Sequence, residues 1–112
     1  MRIIEYGAQQ GTEITSFGSS GVRFRPLTRT DHGGVAIMRV AAGGEIGRHP
    51  ATVDQLFVVI SGRGRVCGGD GLWQPIAAGQ AALWVAGEEH TTRADEPLVA
   101  VVVEVSQVPA GA

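Results

Sequence analysis

Gly43-Gly44-Glu45-Ile46-Gly47-Arg48-His49-Pro50-Ala51-Thr52-Val53-Asp54-Gln55, running on into Leu56-Phe57-Val58-Val59-Ile60-Ser61-Gly62, is the stretch on which the reading of the fold turns. Its skeleton is Gly43-x5-His49-x5-Gln55-x6-Gly62, a histidine and an amide held between glycines. Glycine adopts positive φ without steric cost and so marks the places where the chain turns. The uninterrupted apolar run Leu56 to Ile60 reads as a strand covered on both faces. A second frame of the same kind lies further along, Gly79-x5-Val85-x-Gly87-x2-His90, and again delivers one histidine.

Outward from these frames the chain keeps one style. Seventeen glycines and five prolines cut it into short segments rich in valine and isoleucine, the pattern of a sandwich or barrel of short strands. Val22 to Arg25 alternates apolar and charged residues, and Val35 to Val40 is mostly apolar. Arg65 to Cys67, Leu72 to Ile76, Ala81 to Val85 and Leu98 to Val105 complete the expected strands, the last so rich in valine that it reads as central. Ser61 to Gly64 and Gly68 to Gly71 read as consecutive hairpin turns. No stretch has a helical period, and residues 109–112 read as a frayed tail.

Composition excludes several chemistries. At 112 residues the chain fits one domain with one core. Net charge is -2 and the nine basic residues are scattered, so the electrostatic footprint for nucleic acid or a membrane surface is missing. All nine are arginine. Without lysine there is neither Schiff-base chemistry nor a P-loop. The one cysteine, Cys67, cannot form an internal disulfide, and no apolar run approaches a membrane span. The expectation is a soluble, cytoplasmic protein with no signal segment.

The two glycine frames resemble the paired motifs of the cupin superfamily, in which Gly-x5-His-x-His-x3–4-Glu-x6-Gly and Gly-x5-Pro-x-Gly-x2-His-x3-Asn place three histidines and a carboxylate around a metal. The likeness covers roughly residues 33 to 105. It implies an all-β, single-domain cupin-type β-barrel (a double-stranded β-helix or jelly roll), with the barrel over 31–108 and residues 1–30 adding strands outside the motifs. It also implies a homodimer, since an open sheet gains by pairing its edge.

The resemblance assigns His49 and His90 to metal-ligand positions, puts Ala51 where the second histidine would be, and puts Gln55 at the glutamate position. The metal set is then His49, Gln55 and His90: three neutral donors with weak affinity for a divalent imidazole-preferring ion, Fe(II), Ni(II), Cu(II) or Zn(II). The plainer reading makes Gln55 a buried amide bonded to the histidines or to a ligand, and His49 a surface or capping residue where a loop enters a strand. Strand alternation from Gln55 turns Phe57 and Val59 inward and Asp54 outward. Ala51, Phe57 and Trp84 are the expected pocket walls, although core packing accounts for the aromatics equally well. Arg39, alone in an apolar strand, is a candidate clamp for a substrate carboxylate, or a surface cation. Glu88 and Glu89 read as a solvated turn, His32 as a turn residue and Cys67 as an inert buried thiol.

Two functions follow from the likeness. One is a metal-dependent dioxygenase, isomerase, cyclase or lyase acting on a small oxygenated molecule, with the metal as Lewis acid and template. The other is a non-catalytic ligand-binding or sensor cupin without metal. The fold alone does not choose between them.

Overall fold

One long strand organises the molecule. In the computed structural model, which describes residues 1–105, β3 runs unbroken from Gly33 to Pro50. Residues 106–108 at the barrel's expected end, and the expected tail at 109–112, lie outside the described residues. The other strands are β1 (Thr12–Ile14), β2 (Ser20–Thr30), β4 (Asp54–Ser61), β5 (Arg63–Cys67), β6 (Trp73–Ala77), β7 (Ala81–Trp84), β8 (Glu89–Ala94) and β9 (Leu98–Val105). The first half of β3 lies between β2 and β9, whereas its second half pairs with β8. A single strand thus belongs to two sheet surfaces, β1-β2-β3-β9-β4-β7 on one side and β3-β8-β5-β6 on the other. They wrap into the expected all-β, nearly closed barrel.

The glycines read as a loop before His49 act instead as bends inside β3. Gly43 has a φ of 77°, which lets the strand turn from one sheet toward the other while His49 stays within it. The turn at Ser61–Gly64 also differs from expectation. β4 pairs with β7 and β9, and β5 with β6 and β8, so Gly62 is a corner between sheets, and of the two hairpins expected here β5–β6 is the one that forms. A Cβ on Gly62, whose φ is 82°, would run into the carbonyl of Pro97.

β9 is central as expected, between β3 and β4. Its inward residues Leu98, Ala100 and Val102 meet Phe57 and Val59 of β4 and Val40 of β3 in the core. Burying residues such as Phe57 and Leu98, each 1% exposed, contributes about 1.5–3 kcal/mol apiece. The N-terminal segment reaches this sheet through β2, whose residues Val22 to Pro26 oppose Val40 to Ala36.

Candidate functional site: a paired-histidine cavity

His49 and His90 are direct partners in the β3–β8 ladder, so their side chains leave the same face of the sheet. The ring centroids are 4.3 Å apart at 55°. His49 Nδ1 is 2.7 Å from the carbonyl of Gly47 and His90 Nδ1 is 3.2 Å from that of Glu88. A carbonyl only accepts, so each Nδ1 carries the proton and donates it. Each Nε2 is left as the lone pair, the arrangement by which metal-ligating or proton-accepting histidines are oriented. His90 is 2% exposed, and burial pushes its pKa down to about 4, with neighbouring His49 lowering it further and the Glu88 carbonyl opposing. It is neutral at pH 7.

The pair opens into a cavity of about 180 Å³ also lined by Gln55, Glu104, Phe57 and Trp84. Gln55 of β4 opposes both Trp84 of β7 and Glu104 of β9, and its Nε2 donates to Glu104 Oε1 at 3.4 Å. Trp84 stacks on His90 with centroids 4.3 Å apart and packs against Phe57 at 5.9 Å. On the opposite side Phe17 stacks nearly parallel on His49 at 4.9 Å. The two imidazoles are therefore held in an aromatic column running from Phe17 to Phe57, which fixes their planes.

Phe17 reaches that position from a 3-10 turn, Ser16–Gly18. It is the one non-glycine residue with positive φ among the described residues, at 56°. The turn is tied down by Ser19, whose Oγ accepts from the Gly47 amide at 2.9 Å. A Cβ at Gly47 would collide with the Phe17 carbonyl, so only glycine lets the turn lie against β3 beside the histidines.

The structure brings His49, Gln55, His90, Phe57 and Trp84 together, and separates two other candidates from them. Arg39 does not line the cavity. Alternation along β3 turns Met38 into the cavity and Val40 into the core, which puts Arg39 on the opposite face, where it opposes Arg23 and donates to the Tyr6 carbonyl at 3.0 Å. Nor does Ala51 line the cavity. β3 ends at Pro50, and Ala51, 4% exposed, then bonds the backbone of Gly87 and Glu88 and packs into the core. Glu88 accepts from the amides of Gly69 and Val85 and so ties the turn, whereas Glu89 begins β8 and pairs across the ladder with Arg48 of β3.

Glu104, Phe17, Phe24 and Met38 line the cavity and were not singled out from the sequence. Glu104 did carry a signal, being the one acid in the valine-rich run 98–105 and in phase with inward Val102. Phe17 carried none, since nothing local says what a turn will pack upon.

For a divalent ion the cavity provides two well-oriented imidazole nitrogens and a carboxamide. No group of three His, Cys, Asp or Glu side chains among the described residues converges on one point. That donor set fits an imidazole-preferring ion held loosely, and does not fit the closed four-ligand site of a structural metal.

A family model described as "Cupin domain" matches residues 36–105. A search of curated proteins gives no significant match. Among solved structures, the polyketide cyclase RemF from Streptomyces resistomycificus superposes with a TM-score of 0.81 at 17% identity, covering 97% of this chain and 82% of that one. A protein described as a predicted oxalate decarboxylase from Thermotoga maritima gives 0.78 at 19% identity over 92% and 98%. A conserved Streptococcus pyogenes protein of unknown function gives 0.72 at 22% over 97% and 98%. At these identities the structural likeness shows the fold alone.

Proposed function

The chain belongs to the cupin superfamily, and from that premise we propose that it binds a small oxygenated molecule in the His49–His90 cavity, as a metal-dependent dioxygenase, isomerase or cyclase would. The observation that carries this reading is the pair of imidazoles, each anchored through Nδ1 to a carbonyl and each presenting Nε2. Ordinary core histidines need only be satisfied. Here one nitrogen of each ring is satisfied and the other is left available beside apolar walls, which is the composition of a ligand site.

A divalent transition metal (Fe, Ni, Cu or Zn) would be held by the Nε2 atoms of His49 and His90 with Gln55 as a weak third donor. When bound it supplies Lewis acidity and a template for oxygen donors. The protein's own residues do the rest: Trp84 and Phe17 hold the rings in plane, the Gly47 and Glu88 carbonyls keep the proton on each Nδ1 so that Nε2 faces the cavity, and Phe57 walls the cavity. The cyclase activity named for RemF is in keeping with an oxygenated ring as ligand.

A second reading, a ligand-binding or sensor protein that needs no metal, is favoured by one observation: the motif carboxylate is replaced by Gln55, leaving a neutral donor set. Metal analysis of protein purified without chelator or histidine tag separates the two. A full equivalent of iron, nickel, copper or zinc that is lost in both His49→Ala and His90→Ala supports the metal-dependent enzyme; a substoichiometric, histidine-independent content supports the second. The reading further takes the protein as a cytoplasmic homodimer. Its single cysteine is free and buried, and no helix among the described residues is long and apolar enough to cross a membrane.

A further inference from the structure

Hydrogen-bond polarity, counted group by group, narrows the ligand. We propose that the cavity takes a non-anionic ring compound that donates hydrogen bonds, and that Glu104, which lies outside both glycine-framed motifs, sets this preference. The proposal rests on the reading of the cavity as a small-molecule site.

His49 and His90 each have a proton committed to a backbone carbonyl, so toward the cavity they accept. Glu104 accepts only. Gln55 turns an N–H to Glu104, which leaves its Oε1 as a further acceptor. The hydroxyls of Ser16, Ser19 and Thr92, also in the lining, serve either way. No arginine is among the lining residues, and the chain has no lysine. Arg29 lines an adjoining groove that shares Phe24, Val102 and Glu104 with the cavity, and no ion pair joins it to Glu104 among the described residues.

With no metal on the histidines, an anion entering this space meets a carboxylate and several lone pairs with no counter-charge, so it is repelled. A molecule carrying O–H groups satisfies the acceptors that would otherwise lie unpaired in a partly apolar site. Size agrees with one substituted ring, since an apolar cavity of about 150 Å³ accommodates benzene and this one measures about 180 Å³. The replacement of the motif carboxylate by Gln55 is thus offset one strand away. Its direct cross-strand partner brings a carboxylate into the same cavity, positioned to accept from a ligand.

The test uses two probes of equal ring size, resorcinol and benzoate. The meta hydroxyls of resorcinol are too far apart to chelate a metal, so its binding reports hydrogen bonding. Each is titrated into the native protein freed of metal by chelator and dialysis, following amide and indole N–H shifts by NMR. Resorcinol is expected to shift the signals of His49, Trp84 and Glu104 and to bind at least about tenfold more tightly than benzoate. In the isosteric Glu104→Gln the preference should shrink by about tenfold or more, resorcinol weakening and benzoate gaining. Benzoate binding the native cavity as tightly as resorcinol, or an unchanged ratio in Glu104→Gln, would overturn the inference and leave the small-molecule reading standing. If neither probe shifts a cavity signal at saturating concentration, both readings fall. The ratio in the native protein decides even if the variant does not fold.

Discussion

His90 shows how one residue couples the site to stability. Its folded pKa of about 4 lies below the ordinary value of 6.5 because burial disfavours the imidazolium. The unfolded chain therefore takes the proton first as pH falls. The stability that neutral His90 allows is fully present above about pH 6.5, declines as pH falls toward 4, and changes no further below that. Thermal melts of the native protein between pH 7.5 and 4 should show this fall, and His90→Gln, which removes the titrating group, should show a shallower one. A parallel pair of curves would mean His90 is not held neutral. Gln55→Glu tests the neighbouring contact. It sets a second carboxylate about 3.4 Å from Glu104, where two like charges cannot both ionise freely. Relative to the native protein the variant should lose more melting temperature at pH 7 than at pH 5, and added Zn(II) or Ni(II) should raise its melting temperature more than that of the native protein. No differential rise would show that Gln55 does not face the ion position.

At the level of elements, the Ser16–Gly18 turn has opposing energies that nearly cancel. A left-handed non-glycine residue costs about 1–2 kcal/mol, and an aromatic stack such as Phe17 on His49 returns about 0.5–1.5 kcal/mol. Phe17→Gly should therefore leave thermal stability nearly unchanged while uncovering His49. The readout is modification by diethyl pyrocarbonate, expected to speed up at His49 and not at buried His90; equal rates in both proteins would mean the turn does not cover the ring. Gly47→Ala acts from the other side. Its Cβ collides with the Phe17 backbone, a contact that a rotamer change cannot relieve. A loss of about 1–3 kcal/mol, the usual range for overpacking, is expected in denaturant melts, with faster His49 modification as its companion.

Across the whole molecule, the sheet that holds β4, β7 and β9 presents apolar residues on its outer side as well as its inner one. Val58 opposes Val101 and Ala81, and Leu56 opposes Val103 and Leu83, all on the face away from Phe57. Leu83 is 47% exposed and Ile60 49%. Outer residues this apolar are what made Leu56–Ile60 read as a strand covered on both faces, yet within one chain the outer cover is partial. A second copy is the expected cover. Light scattering at micromolar concentration should give twice the chain mass, and Val58→Glu should give a monomer that keeps its fold, because its side chain faces outward. A native monomer would count against the dimer; a Val58→Glu dimer would place the contact elsewhere.

The sequence by itself determined the all-β class and the centrality of β9, because strand period and turn residues are local and survive without coordinates; that His49, Gln55 and His90 meet was expected from the likeness of the glycine frames to the cupin motifs. Only the tertiary structure decided what each strand faces across the barrel. Arg39 left the site because β3 was already committed to presenting Met38 and Val40 inward. Ala51 left it because the chain bends after Pro50 into a backbone pairing with Gly87 and Glu88. Glu104 entered as the cross-strand partner of Gln55, and Phe17 by way of a turn whose packing depends on Gly47, 30 residues further along the chain. Register between strands and the docking of a turn are long-range contacts. They are chosen by the burial of the whole core, and no window of sequence contains them.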